Sequence, residues 1–367
     1  MKFELTAEDF FKCVSLADRV SKKRSIATNN LVHSIHIEAK EDVIILKAMN
    51  NMGISITQPA TVFKDGSVLL PGSILHGFVS NISPEAVLSI EKKGSMLSIS
   101  TSHNEAEIEL FKEEEFPSFP EIENTTTFEV LKEVLLQGIE NVSHIASPIL
   151  SKPELATLHI YTKDDILHFV AGDRSRMAEK KMLNTKIEND VYILLPIENV
   201  PDVYYLLKSV YKPVKVSFNE QYVSFESDGI YFFSRLIDGS FPKYLDLIPK
   251  SSVSEVKLIK NDLLSFFKKA PYFSDKFNRM RIEADSEKKT CVCTIENSGV
   301  GRTREIIPSD VIGESFSAKF DYQYIYDPLQ SITSNHLKII FYGLGKPAVM
   351  KDTNDDSFTY IVAPIID

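Results

Sequence analysis

Nothing in these 367 residues has the form of a phosphate-binding or hydrolytic motif. There is no GxxxxGK(S/T) and no GxGxxG, so no glycine-rich loop aims backbone N–H groups at a phosphate. GxSxG, HExxH and CxxC are missing too. Cysteine is scarce: only Cys13, Cys291 and Cys293 occur. The Cys-Val-Cys spacing is neither a metal nor a redox spacing, and on a strand it puts both thiols on one face. Buried inert thiols and no disulfides are expected, which fits a reducing cytoplasm. His33 and His36 stand in the strand-like VHSIHIE and point to opposite faces, so no shared metal is expected. No cofactor is implied.

Long apolar runs are also lacking. None approaches the roughly 18 residues of a membrane span. The opening MKFELTAEDFF has no apolar core of the signal-peptide kind. A cytosolic protein without membrane contact is the expectation. Positive charge is in deficit, with a net charge of −10. That argues against a body coated in nucleic acid but leaves room for a local basic surface. With 43% hydrophobic residues and no low-complexity run, the chain can bury the cores of two or three domains.

What the sequence does have is one pattern written three times. A short strand followed by an amphipathic helix reads FELTAEDFFKCVSLA from Phe3, FEVLKEVLLQGIENV from Phe128 and VKLIKNDLLSFFKKA from Val256. Phe10, Phe11 and Val14 fall on Leu135, Leu136 and Ile139, and Leu263 and Leu264 take the first two places in the third copy. A second strand-to-helix unit reads VLLPGSILHGFVSNI, ILLPIENVPDVYYLL and SAKFDYQYIYDPLQSI. Pro71, Pro196 and Asp321 follow one another at intervals of 125. Proline near a helix start is favourable because that N–H has no helical partner.

Between these units lie paired alternating stretches that read as strands around polar turns. FPSFPEI and FPKYLDLIP close the first two thirds. Proline stops strands and stiffens linkers, so boundaries fall near 122 and 249. Each third then holds two helices and many strands. One helix face must lie on a sheet, and the other is left for something else.

Turned at about 100° per residue from Phe10, Lys12, Arg19 and Lys23 gather near 180–220°, opposite the apolar face. Lys268 and Lys269 likewise leave the apolar face of Leu263, Leu264 and Phe267. The polar loop AGDRSRMAE, with Asp173, Ser175 and Arg176, reads either as a tight turn after a strand or as a catalytic loop of a hydrolase.

AGDRSRMA, with RLIDGSFPKYLDLIP about 60 residues later, resembles the ATDxxRLA and KLIDGxFPxYxxVIP segments of the beta sliding clamps, the beta subunits of bacterial DNA polymerase III. FDYQYIYDPLQSI, the final YIVAPI, the MKF start and Arg24 are similar to that family as well. The resemblance runs over essentially the whole chain. It implies an α+β fold of three repeated clamp domains at 1–122, 123–249 and 250–367, each with two helices on antiparallel sheets. Two chains would join head to tail into a ring, with helices lining the hole. It implies a processivity factor with no active site, or a paralogous clamp with a specialised role.

The implied partners are double-stranded DNA read without sequence, a second copy of the chain, the polymerase III catalytic subunit, the clamp loader, repair polymerases, mismatch repair proteins and ligase. DNA would meet Lys12, Arg19, Lys23, Arg24, Lys268 and Lys269. Partner peptides would enter between the second and third domains. The apolar wall there is Leu155, Met177, Pro242, Leu247, Ile361, Val362, Pro364 and Ile365, and the polar rim is Gly172, Arg174, Ser175 and Arg176.

The sequence departs from that family in places. Gly172 stands for the usual Thr, Arg174-Ser175 for Gly-His, and Asp246 for a basic residue. At the subunit joint, Ala106 and Ile108 stand for Phe and Leu, facing Tyr272 and Phe273. The charges there are exchanged as well. Glu105 and Glu107 lie on the first-domain edge, and Arg302 and Arg304 on the third-domain strand.

Overall fold

The computed structural model describes residues 1–22, 33–148 and 152–366. It contains two compact units, one of Met1–Glu133 with Pro201–Leu236 and one of Val134–Val200 with Ile237–Asp367. The architecture is α+β, and the strand pairs are antiparallel.

In the first unit the helix Ala7–Ser21 follows the strand Lys2–Thr6 without a loop. Thr6 supplies the stop and start signal: its hydroxyl accepts from the Asp9 N–H at 3.1 Å, and Glu8 and Asp9 sit where the helix dipole favours acids. Phe10, Val14 and Ala17 recur at helical spacing and are fully buried. They pack against the helix Gly72–Val79 and the strands Val43–Met49 and Met52–Pro59. Gly72 is required, because a Cβ there would stand 2.9 Å from Cγ1 of Ile35. Pro71 is the N-cap rather than the first helical residue. In the repeat, Pro196 ends its strand four residues before the helix Val200–Lys208. In the third copy the same place is held by Asp321, whose carboxylate caps the helix Tyr322–Tyr326 by accepting from the Gln323 N–H at 2.9 Å.

One eight-stranded sheet of this unit joins residues far apart in the chain. The strand Ile230–Arg235 lies beside Met52–Pro59, with Phe232 opposite Ile54 and Phe233 opposite Gly53. A Cβ at Gly53 would fall 2.2 Å from the Phe233 ring, so the joint needs glycine. The FPSFPEI segment is packed rather than loose: Phe116 stacks on His36 at 5.3 Å and Phe119 meets Phe233 edge-on at 5.3 Å.

The second unit is built on a twelve-stranded sheet. Its continuity rests on Arg176–Met182 pairing with Phe358–Val362, Met177 standing opposite Ile361. The 13-residue strand Gly301–Gly313 pairs with Thr290–Asn297 through Gly301–Pro308 and with Ser254–Ile259 through Ser309–Gly313. The helix Lys260–Phe267 ends sooner than its first-third counterpart, because Pro271 opens a separate turn, Ala270–Phe273. Cys13, Cys291 and Cys293 are free and buried, and burial pushes the Cys13 thiol up to about 12. Among the described residues no group of His, Cys, Asp and Glu could hold a metal, and no helix is long and apolar enough to cross a membrane.

Candidate functional site

An apolar face in the second unit gathers three of the eight residues assigned to the peptide wall, Leu155, Met177 and Ile361. Strand alternation sends Val170 and Gly172 to the same side as Met177 across one ladder, then Ile361 and Val349 across the next two. Leu194, Phe241 and Tyr244 complete the cluster, and Leu155, Tyr161, Ile237, Ile248, Ile340 and Tyr342 pack against it, half-buried. Met177 is 6% and Ile361 5% exposed. Pro242 is exposed, and Pro364 and Ile365 are half-buried in the tail that follows. The tail is tethered by Ala363 N–H to Ser175 O at 2.7 Å and Ile365 N–H to Lys319 O at 2.8 Å. Leu247 closes the turn Tyr244–Leu247, and its side chain lies outside the described part.

Two of the assigned residues face the other way. Arg176 and Val362 are ladder partners one position off Met177 and Ile361, so their side chains leave the opposite face. Val362 is fully buried there. Arg176 donates to Asp173 Oδ2 at 3.1 Å and to Asp327, with its guanidinium 4.1 Å from the Tyr324 ring centroid.

Asp173 is committed to the turn, its Oδ1 accepting from the N–H groups of Ser175 at 2.7 Å and Arg176 at 3.0 Å. That is a turn-forming carboxylate rather than a hydrolase's base. Gly172 has its own reason: a Cβ there would lie 2.6 Å from Arg176 O, so this hairpin does not accommodate the family's Thr. Arg174 is exposed and Ser175 half-buried beside it. Sequence reasoning missed Val170, Leu194, Phe241 and Val349 as members of this face. For Val170, Leu194 and Val349 the signal was the two-residue alternation followed across strands that are distant in sequence, whereas Phe241 lies in an irregular stretch beside the assigned Pro242.

The basic helix face is more committed than expected. Lys12 is exposed and pairs with Glu8 at 2.8 Å, one helical turn back. Arg19 pairs with Asp202 at 2.8 Å and lies 4.2 Å over the Tyr205 ring. Lys23 and Arg24 lie outside the described residues. Lys268 caps its helix and is exposed, whereas Lys269 is past the helix end and pairs with Glu305. Lys208, not among the residues assigned from the sequence, is exposed in the last turn of Val200–Lys208 with its amine 4.4 Å from the Tyr204 ring. A basic residue there is favoured by the helix dipole.

The strand Glu105–Glu109 ends the five-stranded sheet and pairs only with Met96–Ser100 among the described residues. Glu105 and Glu107 are exposed on one face; Ala106 is half-buried on the other, and Ile108, 4% exposed, belongs to the unit's own core. Arg302 and Arg304 are exposed in Gly301–Gly313, flanked by Arg279, Arg281 and Glu296. Tyr272 is 76% exposed and Phe273 half-buried.

A thrice-repeated strand–helix unit on antiparallel sheets is the architecture of the DNA-clamp folds. Residues 129–243 match the DNA polymerase III beta subunit central domain, and residues 245–366 match its C-terminal domain. The chain belongs to the DNA polymerase III beta subunit family. It is 22% identical to a beta sliding clamp of Synechococcus elongatus over 320 residues, covering 86% of this chain and 85% of the relative. It is 21% identical to a beta sliding clamp of Staphylococcus aureus over 372 residues, covering 99% of each. In fold it is similar to the polymerase III subunit beta of Pseudomonas aeruginosa, with a TM-score of 0.93 at 16% identity and 100% of both chains covered. It is also similar in fold to the sliding clamp of Bacillus subtilis, with a TM-score of 0.93 at 20% identity, covering 100% of this chain and 99% of that one.

Proposed function

We infer that this chain works as a DNA sliding clamp, a processivity factor without an active site of its own. The observation that carries the reading is the match of two consecutive beta-subunit domains over 129–366, on a chain that writes the same strand–helix unit a third time before them. Three clamp domains at 1–122, 123–249 and 250–367 and a head-to-tail pair of chains make a closed ring. Its grip is topological, so contact with the phosphate backbone needs no base readout. A polymerase tied to the ring meets DNA at high effective concentration, so weak contacts suffice for continuous synthesis.

The apolar face around Met177 and Ile361 is the docking groove for peptides of the polymerase catalytic subunit, the clamp loader and repair, mismatch-repair and ligase partners. Its centre is nearly closed, and its rim offers half-buried Leu155, Ile248 and Tyr342 beside the exposed Arg174 and Pro242. The protein acts in the cytoplasm. The test is retention on DNA: once loaded, the ring stays on closed circular DNA and leaves linear DNA through its ends. Equal loss from both forms overturns the reading.

A further inference from the structure

On the same sheet face as the apolar cluster lies a buried carboxylate that peptide docking alone does not call for. Glu179 stands two positions along the strand from Met177, so it shares that face, and it is 3% exposed. Its Oε1 is met three times: by His168 Nδ1 at 2.8 Å, by the Tyr244 hydroxyl at 2.6 Å and by the Tyr161 hydroxyl at 3.2 Å. The two phenols are themselves 3.0 Å apart. Burial pushes this carboxyl up, yet the hydrogen bonds from His168 and Tyr244 hold it below the usual carboxylate range.

The segment that carries Tyr244 is the irregular stretch from Ile237 to Ile248, which supplies Phe241 and Tyr244 to the apolar cluster. Having no ladder of its own, it is tied to the sheet at separate points. Ile237 N–H donates to Leu194 O at 3.0 Å, Phe241 N–H donates to the Tyr192 hydroxyl at 2.7 Å, and Tyr244 donates to Glu179. Phe241 also stacks on His159 at 4.9 Å. The end nearest the turn Tyr244–Leu247 is thus anchored through a charge-assisted hydrogen bond. Isosteric apolar packing would serve stability as well, and a buried carboxylate costs desolvation.

We propose that Glu179 is a positioning residue for partner-peptide binding: it fixes the Tyr244 phenol, and so holds the 241–248 wall at the distance from Met177 and Ile361 that a peptide side chain requires. This rests on the groove reading above. It also gives the buried polar cluster one task, to pre-organise an irregular wall before the peptide arrives.

The test uses the full-length chain and a fluorescent peptide rich in Gln and Leu with a C-terminal Phe, read by anisotropy and dissociation rate. Tyr244→Phe removes one oxygen from a side chain whose ring stays in place. It should weaken the peptide about tenfold, mainly through faster dissociation, with the native mass of the dimer unchanged. Glu179→Gln should weaken it to a similar extent. The double variant should be no worse than the poorer single one, because both act through one bond. If Glu179→Gln fails to fold, Tyr244→Phe decides alone. Unaltered affinity in Tyr244→Phe, or additive losses in the double variant, overturns the proposal while the groove stands. No binding of the peptide by the unaltered protein overturns the groove, and this proposal with it.

Discussion

Arg19 donates from Nε to the Asp202 carboxylate at 2.8 Å, joining the first helix of the chain to a helix that begins almost 180 residues later. The acid is nearly buried, its side chain 8% exposed, while the guanidinium is about two-fifths exposed and lies over Tyr205. Arg19→Ala therefore removes a strut within the first unit. A drop in stability of about 1–2 kcal/mol is expected, less than for a fully buried pair because solvent screens the arginine. Urea unfolding checks this, and a midpoint that does not move refutes it.

The same geometry separates two kinds of basic residue in DNA binding. Lys12 holds surface pairs with Glu8 at 2.8 Å and Asp9 at 4.0 Å, each worth about 0–1 kcal/mol, and can turn to a phosphate at little cost. Lys12→Ala should reduce the slope of log affinity against log salt by roughly 0.9, and so should Arg24→Ala. Arg19→Ala should leave that slope almost unchanged. A slope that falls only in the Arg19 variant would reverse the assignment.

Met177→Glu should abolish binding of the Gln- and Leu-rich peptide. It sets an unpaired charge on a face whose neighbours are Ile361, Val349 and Val170, at a cost of several kcal/mol. The dimer's native mass should be unchanged. A normal dissociation constant for the peptide would show that docking occurs elsewhere.

Glu105, 3.9 Å from the Lys93 amine, and Glu107 project from a strand that pairs on one side only among the described residues, and Arg302 and Arg304 project from the strand Gly301–Gly313. Facing edges of opposite sign favour a partner with the same arrangement and set like charges against a clamp of the reverse polarity. Glu105→Arg with Glu107→Arg should speed subunit exchange, and adding Arg302→Glu with Arg304→Glu should restore it. Exchange rates indifferent to the first pair would disprove the pairing.

His159 gives the second unit a pH dependence. Burial among Tyr161, Tyr192 and Phe241 lowers its pKa from 6.5 to about 4. The unfolded chain therefore takes up a proton that the folded unit refuses. This contribution to stability is complete above about pH 6.5 and is lost as pH falls toward 4. His159→Phe should flatten the denaturation midpoint over that window. A profile identical to that of the unaltered protein would exclude His159 as its source.

The helix starts and the threefold repeat were legible because they rest on local signals: Thr6 before acids, Phe10 and Val14 at helical spacing, and Asp321 in the place of Pro196. The pairing of Ile230–Arg235 with Met52–Pro59 was not, since nothing local tells a strand that its neighbour lies far back in the chain. The glycine at position 53, which makes room for Phe233, carries that information only once the partner is known. In the groove, the motif placed Met177 and Ile361 together but could not show that Arg176 and Val362 alternate to the reverse face. It also gave no hint of Glu179, because a carboxylate amid Met, Ala and Lys reads as ordinary solvated charge.

The strand Gly301–Gly313 changes neighbours at Ser309, where Lys289 O receives its N–H at 3.3 Å on one side and Leu258 stands opposite on the other. The strands flanking it do not overlap along its length: one covers Gly301–Pro308, the other Ser309–Gly313. In its ladders the broad sheet is therefore two plates that share one backbone, braced outside the ladders by the Ile365 N–H to Lys319 O bond and by the Phe316–Phe341 ring contact at 4.2 Å. Proline at 308 withholds a donor where the plates meet. A fold line through Ser309 would strain few ladder bonds, whereas a crease anywhere within either plate would tear several at once. Amide exchange at Ser309 and Asp310 should accordingly outpace that of the neighbouring ladders.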